Sequence, residues 1–399
     1  MPTHIEPTRI RRTAVMFAAM FVVGAGSVFA VQAYRAGGSM VAPTADAATV
    51  AEGQQIFRFD TFGDEVLWTD KLQMHQVVES SVDPVTALAV GLKVDADVLP
   101  PGILDTVDLT SPATTVALLK LDAVVGLKAT VDSENHITRL GVTCALCHST
   151  VDDSVQHGIG HRKDGWPNGD LNVGAIIALS PALTAEQKAV YNSWGPGKYD
   201  PRYNIDGLNT PLVLPPAYGL AHVKNETYTA EGPISYWNAY VAVTQMGGQG
   251  NFSDPRLGIE ITHTPDLVTS KLPALRAYQL SLPAPPAPTG SFDKVAATRG
   301  RAVFGENCMS CHVGGDGTDN NGGKLHAPEE TGMDGAYAAR TVNKAYRTTP
   351  LRGLWQHPPY FHDGSAATLA DVVTHYNQAR HLQLTARQQA DLVEYLKTL

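Results

Sequence analysis

Cysteine is scarce in this chain, with four in 399 residues. They fall into two pairs, each separated by only two residues, so nothing is left over for a disulfide framework, and so tight a loop is uncommon as a structural staple. Basic residues are outnumbered as well: 30 Lys and Arg stand against 39 Asp and Glu, a formal net charge of −9. That balance argues against nucleic acid as a partner. Charged residues make up 17% of the chain and apolar ones 43%, so it is long and apolar enough for about two domains with proper cores.

What the four cysteines do have is a shared context. Cys144-Ala145-Leu146-Cys147-His148 and Cys308-Met309-Ser310-Cys311-His312 are two copies of one pattern. In such a run the two thiols add across the vinyl groups of a haem and the next residue puts an imidazole under the iron. A redox dithiol or half of a zinc site needs no histidine after the second cysteine in both copies. The expectation is two covalently bound c-type haems, with His148 and His312 as iron ligands. One haem per domain gives a mainly α fold of two cytochrome c-like haem domains with long irregular loops. The stiff run Pro283-Ala-Pro-Pro-Ala-Pro288 separates residues 49–282 from residues 291–399.

Arg9, Arg11 and Arg12 precede an uncharged, mostly apolar stretch from Thr13 to Tyr34, closed by Arg35. Residues 1–36 therefore read as a signal peptide or a single membrane anchor, with small residues at Ala30 and Ala33 offering cleavage sites. Either way the bulk of the protein is expected in the periplasm, where haem is attached to such motifs. The exported part is more acidic than the whole. Such a surface suits a basic electron carrier, and an ordinary solubility charge explains it equally well.

Along the chain, Val50–Phe57 reads as a helix, and Arg58–Glu65 with Trp68 either packs on a haem edge or caps that helix with core aromatics. Residues 158–174, rich in Gly and Asn, read as a long loop near the first haem. His157 or His161 is there to reach the distal iron face or to stay at the surface. Trp166 is there to lie between the haems or to anchor the loop. Ile234–Met246 reads as a helix ended by Gly247, with Met246 a thioether candidate or core. In the C-terminal unit, Asp293–Phe304 runs as a helix toward Cys308, and Thr385 is a natural N-cap for an amphipathic closing helix. The loop 314–323 carries Asp316, Asp319, Asn320 and Asn321, a calcium candidate without the terminal glutamate of an EF-hand loop.

The run Thr349-Pro-Leu-Arg-Gly-Leu-Trp-Gln-His-Pro-Pro-Tyr-Phe-His-Asp-Gly364, continuing to Tyr376, resembles the signature of the bacterial di-haem cytochrome c peroxidase family, which includes MauG. The likeness covers the chain from Ser291 onward and is weak before it. It implies that the haem at His312 relays electrons and the haem at His148 meets peroxide or dioxygen. It also implies that His362 bonds a haem propionate, and that His357 and Pro359 lie where calcium is held. Peroxidases of the family place a Met fourteen residues after the His of Tyr-Phe-His; counting from His362 gives Tyr376, with His375 beside it. Tyr376, or alternatively His375, is then the second ligand of the relay iron, and either lowers its potential relative to a thioether. MauG carries a Tyr at this place.

The family's distal Glu and Gln have no recognisable motif here, and Glu226, Glu231 and Gln245 are candidates by segment alone. Phe59-Asp-Thr-Phe-Gly-Asp64 and Asp170-Leu-Asn-Val-Gly174 are more loosely similar to the di-haem rubber oxygenases. The implied function is a peroxidase-like or MauG-like oxidoreductase using peroxide or dioxygen, with a small cytochrome, a copper protein or a protein substrate as electron source. A plain electron-transfer cytochrome and a rubber-oxygenase-like dioxygenase are the alternatives.

Overall fold

With 36 glycines and 26 prolines to break it, the chain builds short elements. The computed structural model describes residues 45–399, so the signal or anchor expected at residues 1–36 lies outside the described residues. Among the described residues the fold is mainly helical, with five two-stranded β pairs. Among the described residues no helix is long and apolar enough to cross a membrane.

Two helix crossings organise the two ends. The helix Ala47–Phe59, capped by Asp46, packs on Leu272–Ser281, and a Cβ at Gly53 would fall on the Ala274 carbonyl. The helix Lys294–Asn307 crosses Ala386–Leu396 in the same way, with Gly300 against the Asp391 carbonyl. Only glycine lets two helices approach that closely. Asp293 caps the first helix of this second pair by accepting from Val295 N and Ala296 N. Thr385 and Gln388 form a reciprocal capping box on the other, each such cap contributing about 1 kcal/mol.

The first core gathers Phe57, Phe62, Trp68, Leu119, Leu171, Tyr240 and Leu275, so the aromatics after the first helix are core residues. The second core holds Val303, Phe304, Leu354, Val373, Leu392 and Leu396. Each such side chain contributes roughly 1.5–3 kcal/mol when fully buried. A third, small cluster of Leu212, Tyr337, Ala338 and Tyr346 joins the two halves. Residues 45–399 form one compact unit.

The region expected as a long loop is partly ordered. Ile159–Gly160 pairs parallel with Val94–Asp95, Arg162–Asp164 pairs antiparallel with Ser149–Val151, and a helix starts at Val173 behind the cap Asn172. These strands are two or three residues long, too short for a period-2 pattern to register. The helix from Ile234 relaxes after Tyr240 into a π-helix, Val241–Gln245, and a second π-helix spans Val66–Lys71.

Candidate haem sites

The hairpin Leu127–Val131 with Ile137–Val142 delivers the first motif, whose Ala145–His148 forms a single helical turn. Cys144 and Cys147 are unpaired thiols that burial pushes up to about 12. Both keep some accessible surface despite lying deep in the protein, as does His148, so all three border open space. His148 Nδ1 donates to the Pro215 carbonyl at 3.1 Å. A carbonyl only accepts, so this bond fixes the tautomer and leaves the Nε2 lone pair free. Burial lowers the pKa of His148 and favours that neutral form.

The second motif repeats the arrangement. His312 Nδ1 donates to the Gly317 carbonyl at 3.1 Å, and burial again favours the neutral ring. Cys308 is pushed up to about 11 by burial. Here the open space is a cavity of about 290 Å³ lined by Cys308, Cys311 and His312 together with Leu354, Val373 and Leu392. Tyr376 is one of its walls, its hydroxyl held protonated by burial with a pKa near 12. The neighbouring His375 is committed elsewhere, its Nε2 donating to the Thr331 carbonyl at 2.9 Å.

His357 and His362 also line this cavity, and His362 Nε2 meets the Tyr346 hydroxyl at 3.0 Å. So does Arg347, a residue with no motif of its own to announce it. Its Nε donates to the Thr227 carbonyl, whereas its Nη1 is buried without a partner. Burial lowers its pKa to about 10. Two thiols, a free imidazole nitrogen, an apolar bed and an orphaned guanidinium for a propionate are the donor set a c-type haem requires.

The remaining candidates are dispersed. His157 and His161 are exposed and face Asp153 and Asp97. Met246 is buried in the first core, and its carbonyl accepts from Trp68 Nε1. Glu231 forms a buried ion pair with Arg202 at 2.5 Å. Glu226 lies near Arg347, with burial raising its pKa to about 7, so it belongs beside the second motif. Gln245 lines a smaller cavity of about 150 Å³ together with Tyr199, whose hydroxyl donates to Gln245 Oε1 at 2.9 Å. In the loop 314–323 Asp316 pairs with Arg352, Asp319 Oδ2 with His326, and Asn321 with the Asp316 carboxylate and the His222 carbonyl. Trp166 packs edge-on against Trp355 at 5.7 Å, an aromatic contact between the two halves.

Comparison with known proteins bears on the C-terminal part. Residues 297–399 match the cytochrome c family. The methylamine utilization protein MauG of Methylophilus methylotrophus is 29% identical over 122 residues, 26% of this chain and 36% of that protein. The chain is related to the di-haem cytochrome c peroxidase and MauG superfamily. The match to this MauG spans about a third of its length. Among solved structures, a MauG-like protein associated with microbial copper homeostasis is 21% identical, covering 48% of this chain and 74% of that one at a TM-score of 0.34. Hydrazine synthase of Kuenenia stuttgartiensis is 19% identical, with 48% and 73% covered and the same TM-score of 0.34. Superpositions that loose carry no argument about function. Residues 297–399 are thus a cytochrome c-like domain, which supports c-type haem as its cofactor, and the motif Cys308–His312 falls within it.

Proposed function

We propose that the protein is an exported di-haem c-type cytochrome acting as a peroxidase-like or MauG-like oxidoreductase. Electrons from a small cytochrome or copper protein, or from a protein substrate, enter on the C-terminal side. Peroxide or dioxygen is consumed on the N-terminal side. The observation that carries this reading is an asymmetry between two otherwise matched motifs. At His312 a tyrosine, Tyr376, lines the same cavity and would serve as the second ligand. At His148 the candidates for closing the opposite face lie elsewhere: His157 and His161 are exposed and paired with Asp153 and Asp97, and Met246 is buried in the first core.

A bound c-type haem supplies an iron that exchanges single electrons and, with one axial position open, binds peroxide or dioxygen. The chain's own residues do the rest. His148 and His312 present Nε2 because Pro215 and Gly317 hold Nδ1. Arg347, whose Nη1 is buried without a partner at the cavity wall, would hold a propionate. Pro215 also lines the larger cavity, so one hydrogen bond connects the first imidazole to the bed of the second haem.

Low-temperature electron paramagnetic resonance of the oxidised, haem-loaded protein tests this. The expected outcome is a high-spin ferric signal beside a low-spin one, with the high-spin signal lost on adding peroxide. Two low-spin signals indifferent to peroxide and to small ligands would leave an electron-transfer cytochrome instead.

A further inference from the structure

The smaller cavity plays no part in the reading above, and its walls differ from those of the larger one. Rings dominate it: Trp68, Tyr191, Trp194, Tyr199 and Tyr203. Trp194 meets Tyr191, Tyr199 and Tyr203 edge-on, with centroids 4.9, 5.2 and 6.0 Å away. Both π-helices of the described residues converge here, one through Leu67 and Trp68, the other through Gln245. Trp68 Nε1 ties them together by donating to the Met246 carbonyl at 3.0 Å. Single π turns inside helices are rare and concentrate at functional sites.

Volume and polarity narrow the occupant. A cavity of about 150 Å³ with apolar walls holds one benzene-sized ring. Edge-on and offset contacts with the surrounding rings favour an aromatic one. The carboxylate in the wall, Asp200, is consumed by Arg202 N, Thr210 N and the Arg340 guanidinium, so no free charge calls for an ion. Gln245 Nε2 spends its donors on Asn204 Oδ1 and Thr244 Oγ1. Gln245 Oε1 accepts once, from the Tyr199 hydroxyl at 2.9 Å. An amide oxygen has two lone pairs, so Gln245 Oε1 and Asn204 Oδ1 each retain one. The wall has spare acceptors and asks for an O–H donor.

We propose that this cavity binds an uncharged single-ring phenol, its ring among Trp68, Trp194 and Tyr203 and its hydroxyl donating to Gln245 Oε1. Tyr199, in the same wall, pairs with Leu212, and the chain runs on from there to Pro215, whose carbonyl holds His148 Nδ1. The phenol is then a reductant for the first haem site, an assignment that rests on the reading of His148 as the ligand of the open iron. Two phenols each give up one electron and one proton to one hydrogen peroxide, whose O–O bond breaks, leaving two phenoxyl radicals and two waters.

Calorimetric titration of the haem-loaded full chain with phenol and with benzene tests the pocket without turnover. Phenol is expected to bind one to one. Ile177→Phe, which projects a ring into the cavity, weakens both ligands at least about tenfold, the effect of crowding a site built for one ring. Gln245→Leu weakens phenol about tenfold and leaves benzene unchanged, as loss of one hydrogen bond requires. Should Ile177→Phe not fold, Gln245→Leu alone decides. No phenol binding, or binding that ignores both substitutions, overturns the proposal. Peroxide-driven oxidation of a reduced carrier cytochrome is measured separately. Phenol binding without it supports the pocket and sinks the peroxidase reading; turnover with no phenol binding does the reverse.

Discussion

Asp64 is a carboxyl with no exposed surface and one weak donor, the Val142 N–H at 3.2 Å from each oxygen. Burial therefore raises its pKa to about 9, and it is folded as the neutral acid. A group whose folded pKa lies above its ordinary value favours the fold fully at acid pH. That contribution is lost as pH rises from about 4 toward about 9, at up to about 1.4 kcal/mol per pH unit. Asp64→Asn keeps the shape and an acceptor for Val142 and does not titrate. Urea unfolding at pH 5 and pH 8 is expected to show wild type losing a few kcal/mol relative to the variant. Parallel losses in both proteins would place the pH dependence elsewhere. Nothing in Phe59-Asp-Thr-Phe-Gly-Asp64 announces this role, because it depends on Gly141 leaving room for the carboxyl from across the fold.

The elements that were legible are those whose causes are local. Thr385 caps the closing helix as its sequence indicates, and Asp293 opens the helix that runs to Cys308. The two motifs are equally local, since covalent attachment needs its two thiols and imidazole within five consecutive positions. What stayed hidden depends on distance. Val94 pairs with Ile159, 65 residues on, and converts part of an apparent loop into sheet, which carries His157 and His161 to the surface. Gly300 was equally silent, being one glycine in an ordinary helical stretch. A Cβ there meets the Asp391 backbone, which cannot give way as a side chain would. Gly300→Ala, although it favours helix, is expected to destabilise by about 1–3 kcal/mol through overpacking, read as a lower denaturation midpoint with unchanged slope. An unchanged or raised midpoint would mean that the two helices separate without penalty.

The two halves are held by buried charge as well as by apolar contact. Arg340, from the C-terminal half, donates to Asp200 and Asp206 and to the Thr210 hydroxyl of the N-terminal half, with its own side chain almost fully buried. Beside it the buried Arg202–Glu231 pair is closed by Val342 N, which donates to Glu231 at 3.0 Å, while Tyr337 packs on both arginines. Asp200 is also a wall of the smaller cavity, so a residue 140 positions away supports the edge of that pocket. Removing one partner of a buried pair costs more than the pair itself contributes, because the other charge stays behind without solvent. Arg340→Met is therefore expected to cost about 3–5 kcal/mol. Asp200→Asn in the same chain removes the stranded charge and is expected to recover a large part of that loss. The measurement is a double-mutant cycle by denaturant unfolding, and a coupling of about 2 kcal/mol or more is expected for groups in direct contact. If the two losses add to within about 0.5 kcal/mol, Arg340 and Asp200 act independently and the junction rests on the apolar cluster around Tyr337 and Tyr346.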